Sequence, residues 1–243
     1  MPRASRHFLP GYIWHITHRC HQREFLLKHS RDRQRWIHWL FEAKKRFGLC
    51  VLNYTVTSNH VHLLVKDTGD RVIPNSMQLI AGRVAQEFNQ RKGRKGAFWE
   101  DRYHATAVAA DDHLARCVAY IDLNMVRAGA VEHPSAWPEC GYAEMLSGRR
   151  RYTVTDHESL KGLMGLDSLE ALKAARESWL QMELAAGAGR EDRWTQGLAV
   201  GELRFVEEVK SALGSRARWR TTEEDRGGFV LREDEEAFGP ILA

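Results

Sequence analysis

Apolar and polar residues alternate over residues 54–66, which predicts two short strands joined at Thr57-Ser58-Asn59. Alternate residues of a strand share a face, so His60 and His62 point one way and Val61, Leu63 and Val65 the other. Residues 11–19 alternate in the same manner, with Tyr12, Trp14, Ile16 and His18 on one face. His15 and His18 fall on opposite faces of that strand and cannot form a second such pair. Trp36, Ile37, Leu40 and Phe41 recur at helical spacing over residues 30–47, and Gly48 stops that helix. Met77, Ile80, Val84 and Phe88 mark a second helix that opens near Pro74. Residues 98–108 predict a fourth strand. Leu114, Val118, Ile121 and Met125 mark a helix over residues 111–127, with Asp111 and Asp112 at its start and Arg127 and Gly129 at its end. The order is strand, helix, strand, strand, helix, strand, then one more helix. That order predicts an α+β fold, a ferredoxin-like split βαβ antiparallel sheet covered by helices.

Past Trp137-Pro138 the character changes. A basic linker occupies residues 148–151, amphipathic helices are predicted over residues 168–184 and 201–213, and an acidic tail starts at Arg226. The expected organisation is a catalytic unit over residues 1–147 and a helical accessory extension over residues 148–243. Charge follows the same division. Residues 1–150 hold 23 Lys and Arg against 14 Asp and Glu, a surplus of nine positive charges. The remaining residues hold 13 against 18, a surplus of five negative charges. A basic body suits a polyanionic partner. The four cysteines are scattered with no C-x-x-C pair, which argues against a zinc site or a disulfide frame. No run of about 18 apolar residues and no signal peptide is evident, so the expectation is a cytoplasmic protein without a membrane partner.

Two segments carry candidate chemistry. His60 and His62 can bite one metal ion from a single strand face. On the helix some 60 residues later, Tyr120 and Asn124 are four apart and sit one above the other, offering a phenol and an amide oxygen together. The set amounts to three neutral N/O ligands for a divalent ion and one oxygen nucleophile. Such ligands leave a divalent ion its full charge and open positions, and imidazole makes Mn²⁺ comfortable. Arg91, Lys92, Arg94 and Lys95 form a basic, glycine-punctuated loop suited to phosphate. Arg102 and Arg127 flank the candidate nucleophile and offer further cations to a phosphate.

The His-hydrophobe-His strand, the run of residues 94–103 ending in Phe98-Trp99-Glu100-Asp101-Arg102-Tyr103, and Ala119-Tyr120-Ile121-Asp122-Leu123-Asn124-Met125-Val126-Arg127-Ala128-Gly129 stand in a telling order. Together they resemble the single-tyrosine HUH transposases, and among those the REP-associated tyrosine transposases of bacteria. Met125 stands where those relatives place a proline, a change that removes no chemical group. The resemblance covers roughly residues 8–145. It implies a metal-dependent enzyme in which Tyr120 attacks hairpin-bearing single-stranded DNA, leaving a 5′-phosphotyrosine link and a free 3′-OH, in a monomer or homodimer. A domesticated DNA-binding protein of the same fold without transposition activity is the alternative. A barrel-type metal hydrolase would need further His and Asp ligands on later strands, and the sequence has no such series.

Overall fold

The computed structural model describes residues 8–148, 152–187 and 189–233. The basic arm at residues 2–7, the linker arginines at 149–151 and residues 234–243 of the acidic tail lie outside the described residues. The expected catalytic unit is built from β1 (Ile13–Arg19), α1 (Ser30–Phe47), β2 (Cys50–Val56), β3 (His60–Lys66), α2 (Val72–Lys92), β4 (His104–Val108) and α3 (Asp112–Asp122). Short helices α4 (Asn124–Arg127) and α5 (Gly141–Ser147) follow. The extension holds α6 (His157–Leu163), α7 (Leu169–Ala185), α8 (Arg193–Gln196), β5 (Ala199–Gly201), α9 (Leu203–Leu213), β6 (Arg220–Glu224) and β7 (Phe229–Glu233).

The seven strands form one sheet in the order β2-β3-β1-β4-β5-β7-β6. The first four are mutually antiparallel, which is the ferredoxin-like arrangement expected from the chain order. The period-2 pattern decides the layers. Val61, Leu63 and Val65 of β3 pack with Trp14 and Ile16 of β1 against the stripes of α1 and α2, including Trp36, Leu40, Met77, Ile80 and Val84. Full burial of one such side chain stabilises by about 1.5–3 kcal/mol. The opposite face carries Leu52 and Leu64 against Leu114, Val118 and Ile121 of α3 and Leu172 and Leu180 of α7. Gly48 closes α1 in the left-handed conformation at φ 71°, where its N–H reaches the Lys44 carbonyl.

Three features differ from the sequence reading. The fourth strand begins only at His104, because residues 98–101 are taken up by the loop after β1: His21 N–H donates to the Phe98 carbonyl at 2.9 Å and Glu100 N–H to the Arg19 carbonyl at 2.9 Å. The helix over 111–127 breaks at Leu123, with φ −75° and ψ 0°. Thr55 Oγ1 donates to the Ile121 carbonyl at 3.1 Å, the group that an unbroken helix would offer to the Met125 N–H. The extension, whose α7 and α9 lie where expected, also contributes β5, β7 and β6. β5 runs parallel to β4, pairing Ala107 with Ala199 and Val108 with Val200. It thereby covers the edge that a four-stranded sheet would leave open. Among the described residues no helix is long and apolar enough to cross a membrane.

Candidate active site

A cleft of about 630 Å³ opens where the β2–β3 turn, the end of α3, α4 and the extension meet. Its lining includes His60, His62, Tyr120, Asn124, Arg102 and Arg127. Tyr120 and Asn124 share one wall despite the break at Leu123. Of the basic residues expected to touch DNA, Arg102 and Arg127 line this cleft. Arg91, Lys92, Arg94 and Lys95 do not. Arg91 pairs with Asp32 of α1, while Arg94 donates to the Ala97 carbonyl at 2.8 Å and lies 3.5 Å from Glu24. Lys92 and Lys95 are exposed.

The hairpin turn orients His60. Thr57 Oγ1 accepts from the His60 backbone N–H at 3.0 Å and donates to the His60 carbonyl at 2.8 Å. Asn59 Nδ2 donates to the Arg23 carbonyl at 3.2 Å, which turns Asn59 Oδ1 toward His60 Nδ1 at 2.7 Å. An amide oxygen only accepts, so His60 carries its hydrogen on Nδ1 and presents a bare Nε2. That Nε2 lies 3.1 Å from His62 Nε2, which is in turn 2.9 Å from the Asn124 side-chain nitrogen. A half-turn of the Asn124 amide exchanges nitrogen for oxygen at the same point.

The electrostatics favour neutral imidazoles. Burial, helped by the charge of Arg19, pushes the His60 pKa down to about 4. His62, 1% exposed, is also held well below its ordinary value by burial and by the neighbouring His60 and His15. Two neutral imidazoles with ring nitrogens at hydrogen-bond distance form a donor set that can take up a cation. No group of three or more His, Cys, Asp or Glu side chains gathers in metal-holding geometry among the described residues. The candidate ligands are thus two imidazoles and one amide, a neutral set that fits a hard divalent ion retaining open positions.

Tyr120 stands beside this set. Its ring meets His62 edge-on at 5.8 Å between centroids. Burial raises its pKa above the ordinary phenol value, opposed by Arg127 and Arg190. The Arg127 guanidinium lies 4.1 Å from the ring centroid and donates to the Tyr120 carbonyl at 2.6 Å.

The cleft also contains residues to which the sequence reading gave no part in the site. Arg19 and Arg23 come from the end of β1 and the turn after it. Arg190, Thr195 and Gln196 come from the extension. His15 lies behind His62, its ring stacked at 5.1 Å. A histidine opposite the apolar face of β1 was the only signal for it.

A family model described as IS200-like transposase matches residues 9–124, a span containing His60, His62, Tyr120 and Asn124. Among solved structures, the chain is similar to a REP-associated tyrosine transposase bound to a REP hairpin. The two share 23% identity over 64% of this chain and 94% of that one, with a TM-score of 0.51. At that identity the likeness speaks for the fold. A transposase-like protein of Deinococcus radiodurans covers 42% of this chain and 82% of its own at 19% identity, with a TM-score of 0.34, and adds no argument. No curated protein matches. Residues 9–124, just under half of the chain, are therefore similar to the IS200-like transposases.

Proposed function

We propose that this protein cuts and rejoins single-stranded DNA beside a hairpin, with Tyr120 as the nucleophile. The observation that carries this reading is the convergence of the His60 and His62 Nε2 atoms, 3.1 Å apart, in the cleft that Tyr120 lines. The similar transposase carries a REP hairpin, which supports a hairpin-bearing strand as the substrate class.

A phenol with a pKa of about 10 is a poor nucleophile at neutral pH. Its attack on a phosphodiester needs the charge on phosphate and leaving oxygen to be stabilised. A divalent ion, Mg²⁺ or Mn²⁺, held by His60, His62 and the Asn124 oxygen would supply this as a Lewis acid. Arg127 holds positive charge against the Tyr120 ring and favours the phenolate. The Tyr120 oxygen forms a bond to phosphorus and gives up its proton. The bond from phosphorus to the 3′ oxygen breaks, and that oxygen leaves as a hydroxyl. The phosphotyrosine keeps the bond energy, so a 3′-OH can reverse the step without ATP. Arg102, Arg127, Arg19, Arg23 and Arg190 surround the cleft and would steer the strand. The loop of Arg91, Lys92, Arg94 and Lys95 would act as an outer phosphate contact.

The test is incubation of the full chain with hairpin-bearing single strands in Mn²⁺, followed by denaturing electrophoresis. The expected result is a covalent protein–DNA adduct that Tyr120→Phe abolishes while DNA binding persists. A Tyr120→Phe adduct at the wild-type level overturns the assignment. A wild-type protein that binds the hairpin yet never nicks it would favour the DNA-binding alternative.

A further inference from the structure

Behind His62 stands an imidazole for which the cleavage chemistry has no use. His15 is fully buried on β1 and sits on the His62 side of the sheet, where the antiparallel register pairs it with Leu64 and with Thr106. Its two ring nitrogens are both engaged. Nδ1 lies 2.9 Å from the Trp194 carbonyl oxygen, and Nε2 lies 2.9 Å from His62 Nδ1.

The direction of these bonds follows from the carbonyl, which only accepts. His15 therefore carries a hydrogen on Nδ1. Complete burial keeps the ring neutral. Its Nε2 is then an acceptor, so His62 Nδ1 must donate. A neutral His62 that holds its hydrogen on Nδ1 leaves Nε2 bare, facing His60 Nε2 and Asn124. Reversing the chain would set His15 Nδ1 and the Trp194 carbonyl face to face as two buried acceptors, a costly arrangement, whereas in the favoured form His62 Nε2 accepts from the Asn124 amide.

The carbonyl at the head of this chain belongs to the extension, and it is firmly held. Trp194 is itself fully buried. Thr106 Oγ1 lies 3.2 Å from the Trp194 carbonyl and 2.6 Å from that of Gly197. Ala107 N–H donates to the Leu198 carbonyl at 2.8 Å, where β5 begins to pair with β4.

We infer that the Trp194 carbonyl, acting through His15, fixes His62 in the ring form and orientation that present Nε2 to a ligand. His15 is a positioning residue, and the extension belongs to the site that it backs. The inference rests on the proposed role of His60 and His62 as metal ligands. It gives the extension a task on the interior side of the sheet, separate from any contact with DNA. Partners that orient a ligating histidine commonly change metal affinity by about 10–100-fold when removed.

The experiment uses the full chain. Long-range proton–nitrogen NMR of the metal-free protein should show both His15 and His62 carrying hydrogen on Nδ1. Calorimetric titration with Mn²⁺ should show His15→Leu weakened by about 10–100-fold. His15→Gln, whose carboxamide can donate to Trp194 and accept from His62, should recover most of that loss. A His62 hydrogen on Nε2 in the wild-type protein overturns the inference. So does a folded His15→Leu variant with wild-type Mn²⁺ affinity. Should His15→Leu fail to fold, the wild-type ring forms and the Gln variant decide. A wild-type chain that binds no Mn²⁺ would sink the metal reading above, while the ring forms would still decide the relay.

Discussion

Arg127 and Tyr120 form a stacked pair, the guanidinium carbon 4.1 Å from the ring centroid and one guanidinium N–H bonded to the tyrosine's own carbonyl. The two residues are seven apart, on either side of the break at Leu123, and the cation lies over the tyrosine ring. Burial disfavours the phenolate and Arg127 favours it, with burial the larger effect. Removing the cation should raise the phenol pKa further. Arg127→Ala is expected to slow single-turnover cleavage by about tenfold or more, since one pKa unit corresponds to about 1.4 kcal/mol. The alkaline rise in the rate profile should move to higher pH. Arg127→Lys should lie between the two, because it restores charge without the planar stack. A rate profile unmoved by Arg127→Ala would contradict this role.

The metal reading makes a separate demand. His60→Ala and His62→Ala are each expected to lower cleavage by about two orders of magnitude or more, and EDTA should reproduce the loss. Undiminished nicking in chelator would remove the metal from the mechanism.

The same depressed histidines bear on stability. In the unfolded chain an imidazole takes up its proton near pH 6.5, whereas folded His60 resists until about 4 and His15 until about 3. Between those values the unfolded state binds more protons, so stability falls as pH falls. Above about pH 6.5 the contribution is fully present. Urea unfolding at pH 7, 6, 5 and 4 should show a steady loss of stability. His15→Gln, which removes one of the resisting groups, should flatten that slope.

Arg176 of α7 is fully buried and grips Asp122, two residues past Tyr120, with contacts of 2.8 Å to both carboxylate oxygens. It also donates to Asn53 Oδ1 on β2 at 3.1 Å. Arg176→Met would leave Asp122 buried without its partner and is expected to cost about 3–5 kcal/mol. Adding Asp122→Asn should recover a large part, because the uncompensated charge goes with it. Chemical denaturation of the two variants checks this. A loss below about 1 kcal/mol for Arg176→Met would show that the extension is only loosely tied to the helix that carries Tyr120.

What was legible in the sequence was local. The shared face of His60 and His62 follows from the two-residue period of a strand, and the place of Tyr120 from the helical spacing of Leu114, Val118 and Ile121. The break at Leu123 was not legible, because Thr55 causes it from another strand and no Pro or Gly marks it. His15 was undecided for a similar reason: which neighbour it meets depends on cross-strand register, which no single strand encodes. β5 is three residues long and β6 reads Arg-Thr-Thr-Glu-Glu, so neither offers the apolar alternation that signals a strand. The part of the site supplied by the extension was therefore hidden, since it depends on a strand pairing too short to read.

The placement of the arginines separates two routes for DNA. Arg91 and Arg94 are paired with Asp32 and Glu24, which offsets part of their charge, and their loop lies off the cleft. Arg19, Arg23, Arg102 and Arg190 line the cleft beside Tyr120. Each phosphate neutralised on a single strand adds about 0.7 to the slope of log affinity against log salt. Replacing Arg19, Arg23, Arg102 and Arg190 with glutamine should flatten that slope by about two or more, if most of them touch phosphate. The same change at Arg91, Lys92, Arg94 and Lys95 should flatten it less, because these residues lie off the cleft; carboxylates pair two cations of each set, Asp32 and Glu24 in one, Glu100 and Asp192 in the other. Fluorescence anisotropy with a hairpin oligonucleotide across a salt series measures both. A larger effect from the loop quartet would place the main phosphate track along α2 and leave the cleft to the reacting nucleotide alone.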